Sequence, residues 1–357
     1  MADVADAASR VWYGRGVSPG VARALLAPLG WLYGAGVRAR GALYDANVLR
    51  AHDVALPALG VGNVTVGGTG KTPVASWIAR RLRDAGARPA IVLRGYGGDE
   101  PLVHRLLSPD VEVVVDADRV RGVAEAARRG ADVAVLDDAF QHRRARREAD
   151  VVLVSAEQAR APTRLLPAGP YREPLSSLGR AAAVIVTRKS APREEASDVA
   201  ERVRRSRNVP TAVVALALDA LCAWSPAGGS RAEHALGALT GERVLAVAAV
   251  GDNEAFFAQL AAAGADVERA PFADHHAYSP EDVAALARRA ARVSRVVCTL
   301  KDAVKLGPLW PDPGPTLWYV SQRVIVEDGG DVLDRILARL LDARAHFTDT
   351  TGTRRPL

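Results

Sequence analysis

The stretch Val61-Gly62-Asn63-Val64-Thr65-Val66-Gly67-Gly68-Thr69-Gly70-Lys71-Thr72-Pro73 decides how the rest of the chain is read. It follows Val54–Val61, an apolar run with the length of a short buried strand. It precedes a segment whose apolar residues at 74, 75, 78, 79 and 82 lie on one face of a helix. Strand, glycine-rich turn, Gly-Lys-Thr and helix are the context of a phosphate-binding loop. Glycines let successive backbone N–H groups turn inward around an anion, and the helix start adds its positive dipole end. In this reading Thr65, Val66, Gly67, Gly68, Thr69 and Gly70 cradle a nucleotide together with Lys71 and Thr72. Lys71 reaches the β/γ-phosphates and the Thr72 hydroxyl sits on Mg²⁺. Thr65 stands where the strict G-x-x-x-x-G-K-[ST] pattern has its first glycine. An ordinary Gly-rich βα turn with a chance lysine is the competing reading, and the flanking strand and helix weigh against it.

Outward from this loop, composition sets the class. With 357 residues, 49% hydrophobic and 25% charged, the chain is globular and long enough for two domains. Its net charge is +6. Arginines 10, 15, 23, 38, 40 and 50 face one acid, Asp45, between Ala7 and His52, so much of the excess lies at one end. Such asymmetry points to an anionic surface, either membrane or nucleic acid. Two cysteines, Cys222 and Cys298, are too few for a disulfide framework or a cysteine-based zinc site, and fit a reducing cytoplasmic setting. Asp3 and Asp6 occupy the place of a basic signal-peptide n-region.

Ser18-Pro19 reads as a helix start, Ser as N-cap and Pro in the first turn. The following Ala24–Val37 carries no charge. It is shorter than the ~20 residues that span a bilayer. Flanking arginines with Trp31 and Tyr33 suit a helix lying in a membrane interface, or equally one packed on its own domain.

Downstream the pattern alternates strand and helix. Pro89–Leu93 is a strand leading to the turn-rich Arg94–Pro101, which carries Asp99 and Glu100. Val111–Val115 is a strand and Arg119–Arg129 a helix. Asp132–Leu136 is an apolar strand ending in Asp137-Asp138, the arrangement of a Walker B acid. Arg143, Arg144, Arg146 and Arg147 follow; without aromatic interleaving they read as a solvated or membrane-facing edge and not as a nucleic-acid site. Val151–Val154 and Ala182–Thr187 are strands flanking the proline-rich loop Leu165–Pro174.

Glu194–Arg205 is helical and Thr211–Leu218 extended. A charge-free stretch around Trp224 marks a domain boundary, placing a kinase-type domain at 47–220 and a second domain at 221–345. Its strands are 243–250, 266–269, 295–299, 316–320 and 324–326, with helices at 254–263, 280–292 and 332–345. Segment 1–46 is the membrane-associated helix and 346–357 a disordered tail. Alternation of this kind means α/β domains with mainly parallel sheets and helices outside, the first P-loop NTPase-like. The adjacent His275-His276 after Asp274 have metal, acid–base and plain surface readings; with no cysteine or further histidine nearby, a zinc site is not expected.

Taken together these motifs resemble one family, the tetraacyldisaccharide 4′-kinases of lipid A biosynthesis, from about Val11 to about Leu341. The resemblance rests on VGNVTVGGTGKTP at 61–73, RGYGG at 94–98, DEP at 99–101 and DDAFQHRR at 137–144. LLPAGPYREPLSSL at 165–178, FADHHAYS at 272–279 and KDAVKL at 301–306 complete it. It implies a kinase on the cytoplasmic face of the inner membrane, moving the γ-phosphate of ATP to the 4′-hydroxyl of a lipid A disaccharide 1-phosphate with Mg²⁺. It implies Asp99 with His275 as the proton-accepting pair, beside Lys71 and Asp138, and no nucleic-acid partner. Thr72, Asp138 and Glu100 become metal candidates; Tyr96, Arg119, Arg172 and Glu173 become substrate candidates. Because Asp99 and His275 belong to different domains, a hinge is expected to bring them together. The sequence departs from the family by lacking an insertion between Gly98 and Asp99. Ala139 and Leu300 stand where glycine and glutamate are usual. A nucleotide-dependent switch is the rival class, with Thr299-Leu300-Lys301-Asp302 only a loose echo of a guanine-reading motif.

Overall fold

The computed structural model describes residues 8, 10–14, 16–95, 98–160, 162–225 and 230–352. Apolar runs rich in Val, Ile, Leu and Ala supply strands buried on both faces, as helix-covered parallel sheets require. The first half contains helix α1 (Val17–Asp45), strand β1 (Ala58–Asn63), α2 (Lys71–Asp84), β2 (Pro89–Leu93) and α3 (Glu100–Leu107). It continues with β3 (Glu112–Val115), α4 (Arg119–Arg128), β4 (Val133–Asp137), β5 (Ala149–Ser155), β6 (Ala183–Arg188) and α5 (Arg193–Arg207). The second half contains β7 (Thr211–Trp224), β8 (Ser230–Ala235), β9 (Arg243–Ala248), α6 (Asn253–Ala262), β10 (Asp266–Pro271) and α7 (Pro280–Ala290). β11 (Arg295–Thr299), α8 (Leu300–Leu306), β12 (Leu317–Asp328) and α9 (Gly330–Gly352) complete it.

Both halves share one twelve-stranded sheet, ordered β10-β9-β11-β12-β7-β6-β5-β1-β4-β2-β3, with β8 on β7. Pairing is parallel except where β7 meets β12 and β8. Two separate sheets were expected; β7 joins them, because it runs past Leu218 to Trp224 and pairs with β6 on one side and β12 on the other. The boundary read at 220/221 falls inside this strand. β12 is likewise one strand where two were expected. A register shift between Val320 and Gln322 absorbs the polar Ser321-Gln322-Arg323 without breaking the pairing.

Helix α9 returns to the first half: Leu333, Ile336, Leu337 and Leu340 share a core with Val74, Ile78 and Leu82 of α2. It continues beyond His346 to Gly352, into the segment expected as a tail. α1 is capped by Gly16 (φ 109°) and not by Ser18, which lies in its first turn. Only Gly30 and Gly34 of α1 are buried. That face packs on the proline-rich loop, where a Cβ at Gly30 would press Ala168 and the Leu165 carbonyl. Tyr33 Oη donates to Arg172 O (3.0 Å), and Arg143 donates to Gly41 O (3.0 Å) while pairing with Asp45 (2.6 Å). The opposite face exposes Val17, Val21, Leu25, Leu29, Trp31 and Leu32. Among the described residues no helix is long and apolar enough to cross a membrane.

Candidate active site

β1 lies between β4 and β5, so the loop after it opens at the carboxyl edge of the parallel strands, beside the acids that end β4. Gly70 (φ 83°) turns the loop into α2, and a Cβ there would overlap Leu216. The amides at the start of α2 lack intrahelical partners and face outward as donors. Not every loop residue is free to contact a phosphate. Thr65 is buried, with its hydroxyl donating to Gln158 Oε1 (3.2 Å), and the Val66 amide donates to Pro170 O (2.8 Å). Thr69 accepts from Asn63 Nδ2 at its hydroxyl (2.8 Å) and from Thr187 Oγ1 at its carbonyl (2.9 Å). These three brace the loop; Gly67, Gly68, Gly70 and Lys71 are half-buried and Thr72 is buried.

Lys71 Nζ is 3.5 Å from Asp138 Oδ1. Burial pushes the Lys71 ammonium below its usual range and Asp138 opposes that. Asp138 itself sits at φ 48°. Burial would raise its carboxyl, but Lys71 and Arg172 outweigh that and hold it well below the carboxylate range. Arg172 forks onto both Asp138 oxygens (2.8 and 3.2 Å) and also donates to Asn63. Asp137 is buried with a different set of partners. His104, fully buried on α3, bridges Ser76 Oγ of α2 and Asp137 Oδ2 at 2.8 Å each. Arg119, buried, donates to Asp116 O (2.9 Å) and Asp137 O (3.1 Å). Glu173 is buried and paired with Arg180 at 2.7 Å, so its carboxylate is already engaged within its own loop.

Asp99 precedes α3 and is 4% exposed, yet neither carboxylate oxygen has a hydrogen-bond partner among the described residues. A buried charge without partners is costly. His275 Nδ1 lies 4.0 Å from Asp99 Oδ2. The two residues stand 176 positions apart and face each other across the two halves. His275 adopts φ 59°. Asn47 and Asn208 have the same left-handed backbone, and Asn tolerates it in turns. Asp138 and His275 are the other described non-glycine residues held there; Asp and His, like Asn, are enriched in that region. His276 points elsewhere, bonding Asp282 Oδ2 at 2.9 Å. Glu100 is pushed up by burial, opposed by Lys301 of α8 at 3.9 Å. Tyr96 lies outside the described residues.

The second half comes up against the loop at Gly251, where a Cβ would lie within 2.7 Å of Gly68 N. From the first half, Lys189 Nζ donates to Gly68 O (2.9 Å). Among the described residues no group of three His, Cys, Asp or Glu side chains could hold a metal by itself. Thr72 and Asp138 fit the alternative, an ion held by one or two protein oxygens together with nucleotide phosphates. The arginine run after β4 is neutralised internally: Arg143 by Asp45, Arg144 by Asp118, Arg146 by Asp53 and Arg147 by Asp150.

Sequence reasoning missed His104, Asn63 and the Asp302 cluster around the His275 loop. Asp302 and the loop did lie in singled-out motifs; His104 stands alone in a short amphipathic helix with no signal in its spacing.

A Gly-Lys-Thr loop at the centre of a mainly parallel α/β sheet, with paired acids ending the neighbouring strand β4, defines a P-loop nucleotide-binding protein. A profile described as tetraacyldisaccharide-1-P 4′-kinase matches residues 22–100 and 97–341. The chain therefore belongs to that family. It is 37% identical over 304 residues to the tetraacyldisaccharide 4′-kinase of Bradyrhizobium diazoefficiens, covering 79% of this chain and 82% of that one. To the enzyme of Halorhodospira halophila it is 36% identical over 317 residues, covering 83% and 86%. A crystal structure of LpxK from Aquifex aeolicus in complex with ATP superposes with a TM-score of 0.67 at 26% identity, covering 89% of this chain and 99% of that one.

Proposed function

We propose that this kinase transfers the γ-phosphoryl group of ATP to the 4′-hydroxyl of a tetraacyldisaccharide 1-phosphate, a lipid A precursor, at the cytoplasmic face of the inner membrane. The observation that carries the site assignment is the buried Asp99 carboxylate facing His275, with no hydrogen-bond partner among the described residues. An acceptor hydroxyl would complete that carboxylate's hydrogen bonding. Asp99 would take the hydroxyl proton as the oxygen bonds to phosphorus and the bond to ADP breaks. His275, 4.0 Å away, orients Asp99. The open amides of the loop and Lys71 hold the phosphates and meet the charge that develops on them. Thr72 and Asp138 are the groups that would hold Mg²⁺, which would supply neutralisation of phosphate charge. Arg172 and Lys71 keep Asp138 ionised.

The lipid is insoluble in water, and the exposed apolar face of α1, bordered by arginines, suits a helix lying in the headgroup region. The opposite face of α1 reaches Arg172, which binds Asp138, so the membrane contact and the catalytic loop share one support. The test is transfer of label from [γ-³²P]ATP to tetraacyldisaccharide 1-phosphate in mixed micelles by purified protein. Labelled lipid is expected. Release of inorganic phosphate with no labelled lipid would favour a nucleotide-dependent switch instead.

A further inference from the structure

His275 sits in an irregular segment between β10 and α7, outside any helix or strand, with a left-handed backbone uncommon among non-glycine residues. Its position therefore depends on what grips the segment. The His275 amide donates to Ala249 O at 3.3 Å. Ala249's own amide donates to both oxygens of Asp302 (3.1 Å each). On the other side of His275, Tyr278 Oη donates to Asp302 Oδ1 at 2.9 Å. Thr299 Oγ1 donates to Asp302 Oδ2 at 2.6 Å. Lys305 lies 3.9 Å from the same carboxylate and donates to His276 O at 3.2 Å. Asp302 is 0% exposed.

One buried carboxylate thus gathers donors from the end of β9, from the residue three places after His275, and from α8 with its cap. Burying a carboxylate is expensive, and a buried ion pair is weak evidence for stability as such. Its distinctive consequence here is geometric. The strand-end peptide that receives the His275 amide and the tyrosine that follows His275 are tied to the same pair of oxygens.

We propose that Asp302, acting with Tyr278, is a positioning group for His275, fixing the imidazole opposite Asp99. The proposal rests on the reading of Asp99 and His275 as the proton-accepting pair. Asp302 and Tyr278 touch no reacting atom; they act through the loop.

The test uses the full chain and the variant Tyr278→Phe, which removes one hydroxyl while leaving a ring to pack against Phe272 and His276, 5.1 and 5.3 Å away. Misplacing a catalytic group by about 1 Å can cost roughly 10²-fold. For the loss of one tether, a kcat about tenfold lower is expected, with KM for ATP within about twofold. In a His275→Ala background the same substitution should change kcat by less than about twofold, since residues acting through one another are non-additive. Histidine-selective NMR of Tyr278→Phe should show the His275 signal shifted or broadened and that of the distant His234 unchanged. Equal proportional losses in both backgrounds, or an unmoved His275 signal, would overturn the proposal. If His275→Ala itself retains near-wild-type kcat, the pair is wrong and the positioning role falls with it, a result distinct from additivity. Asp302→Asn, which keeps the shape but weakens the acceptor, should follow Tyr278→Phe in all three measurements.

Discussion

Replacing Leu25 and Leu32 with alanine should release the protein from membranes without touching its nucleotide site. Both lie on the outer face of α1, 75% and 71% exposed, so neither substitution opens a cavity. Alanine also keeps the helix propensity high. Each change removes three carbon groups, worth about 0.8 kcal/mol per CH₂ on full transfer from water. Scaled by the exposed fraction, that is about 1.7 kcal/mol per site, or roughly 3 kcal/mol for the pair. The expected effect is a partition coefficient lowered about a hundredfold. Co-sedimentation with anionic vesicles measures it, and fluorescent-ATP binding on the same samples should be unchanged. A partition coefficient within about threefold of wild type would refute the reasoning and leave α1 as a helix whose exposed face meets no lipid.

Lys71→Ala should lower phosphoryl transfer by about 10²–10³-fold, because the charge developing on the transferred group loses a fixed counter-charge. Activity within about threefold would remove Lys71 from the phosphate site. His142 gives a pH-dependent expectation. Burial, reinforced by Arg119 and Arg147, lowers its pKa from 6.5 to about 4. Its neutral form is thus favoured by folding. That stability is present above pH 6.5 and is lost as pH falls towards 4. Thermal melts across this window should fall more steeply for wild type than for His142→Gln; parallel curves would show that His142 contributes nothing.

What the sequence made legible followed from local signals. The phosphate loop combines a glycine-rich turn with a strand before it and a helix after it. Pro89–Leu93 and Arg295–Thr299 have the observed strand bounds because turn residues or charges close them at both ends. Long-range pairing was not legible. Asp219 and the polar Ser321-Gln322-Arg323 look like loop signals, yet both lie inside strands. There the Ser321 hydroxyl accepts from the Ala220 amide across the ladder. Nor could spacing reveal that His104 would meet Ser76 and Asp137, 28 and 33 positions away. Motif resemblance paired Asp99 with His275, but only the fold shows that the second half already stands over the first. Resemblance also grouped Glu173 with the substrate contacts; that an arginine seven residues on pairs with its carboxylate was not legible.

The central claim is that Asp99 and His275 work as one proton-accepting unit at the junction of the two halves. A double-mutant cycle on kcat tests it most directly, using Asp99→Ala, His275→Ala and the double variant with [γ-³²P]ATP and the lipid acceptor. Each single variant should lose most of kcat, and the double should be little worse than the poorer single, with ATP affinity nearly constant throughout. Multiplying losses would contradict the account: Asp99 would then act independently, as a metal or substrate ligand, and His275 as a separate contact.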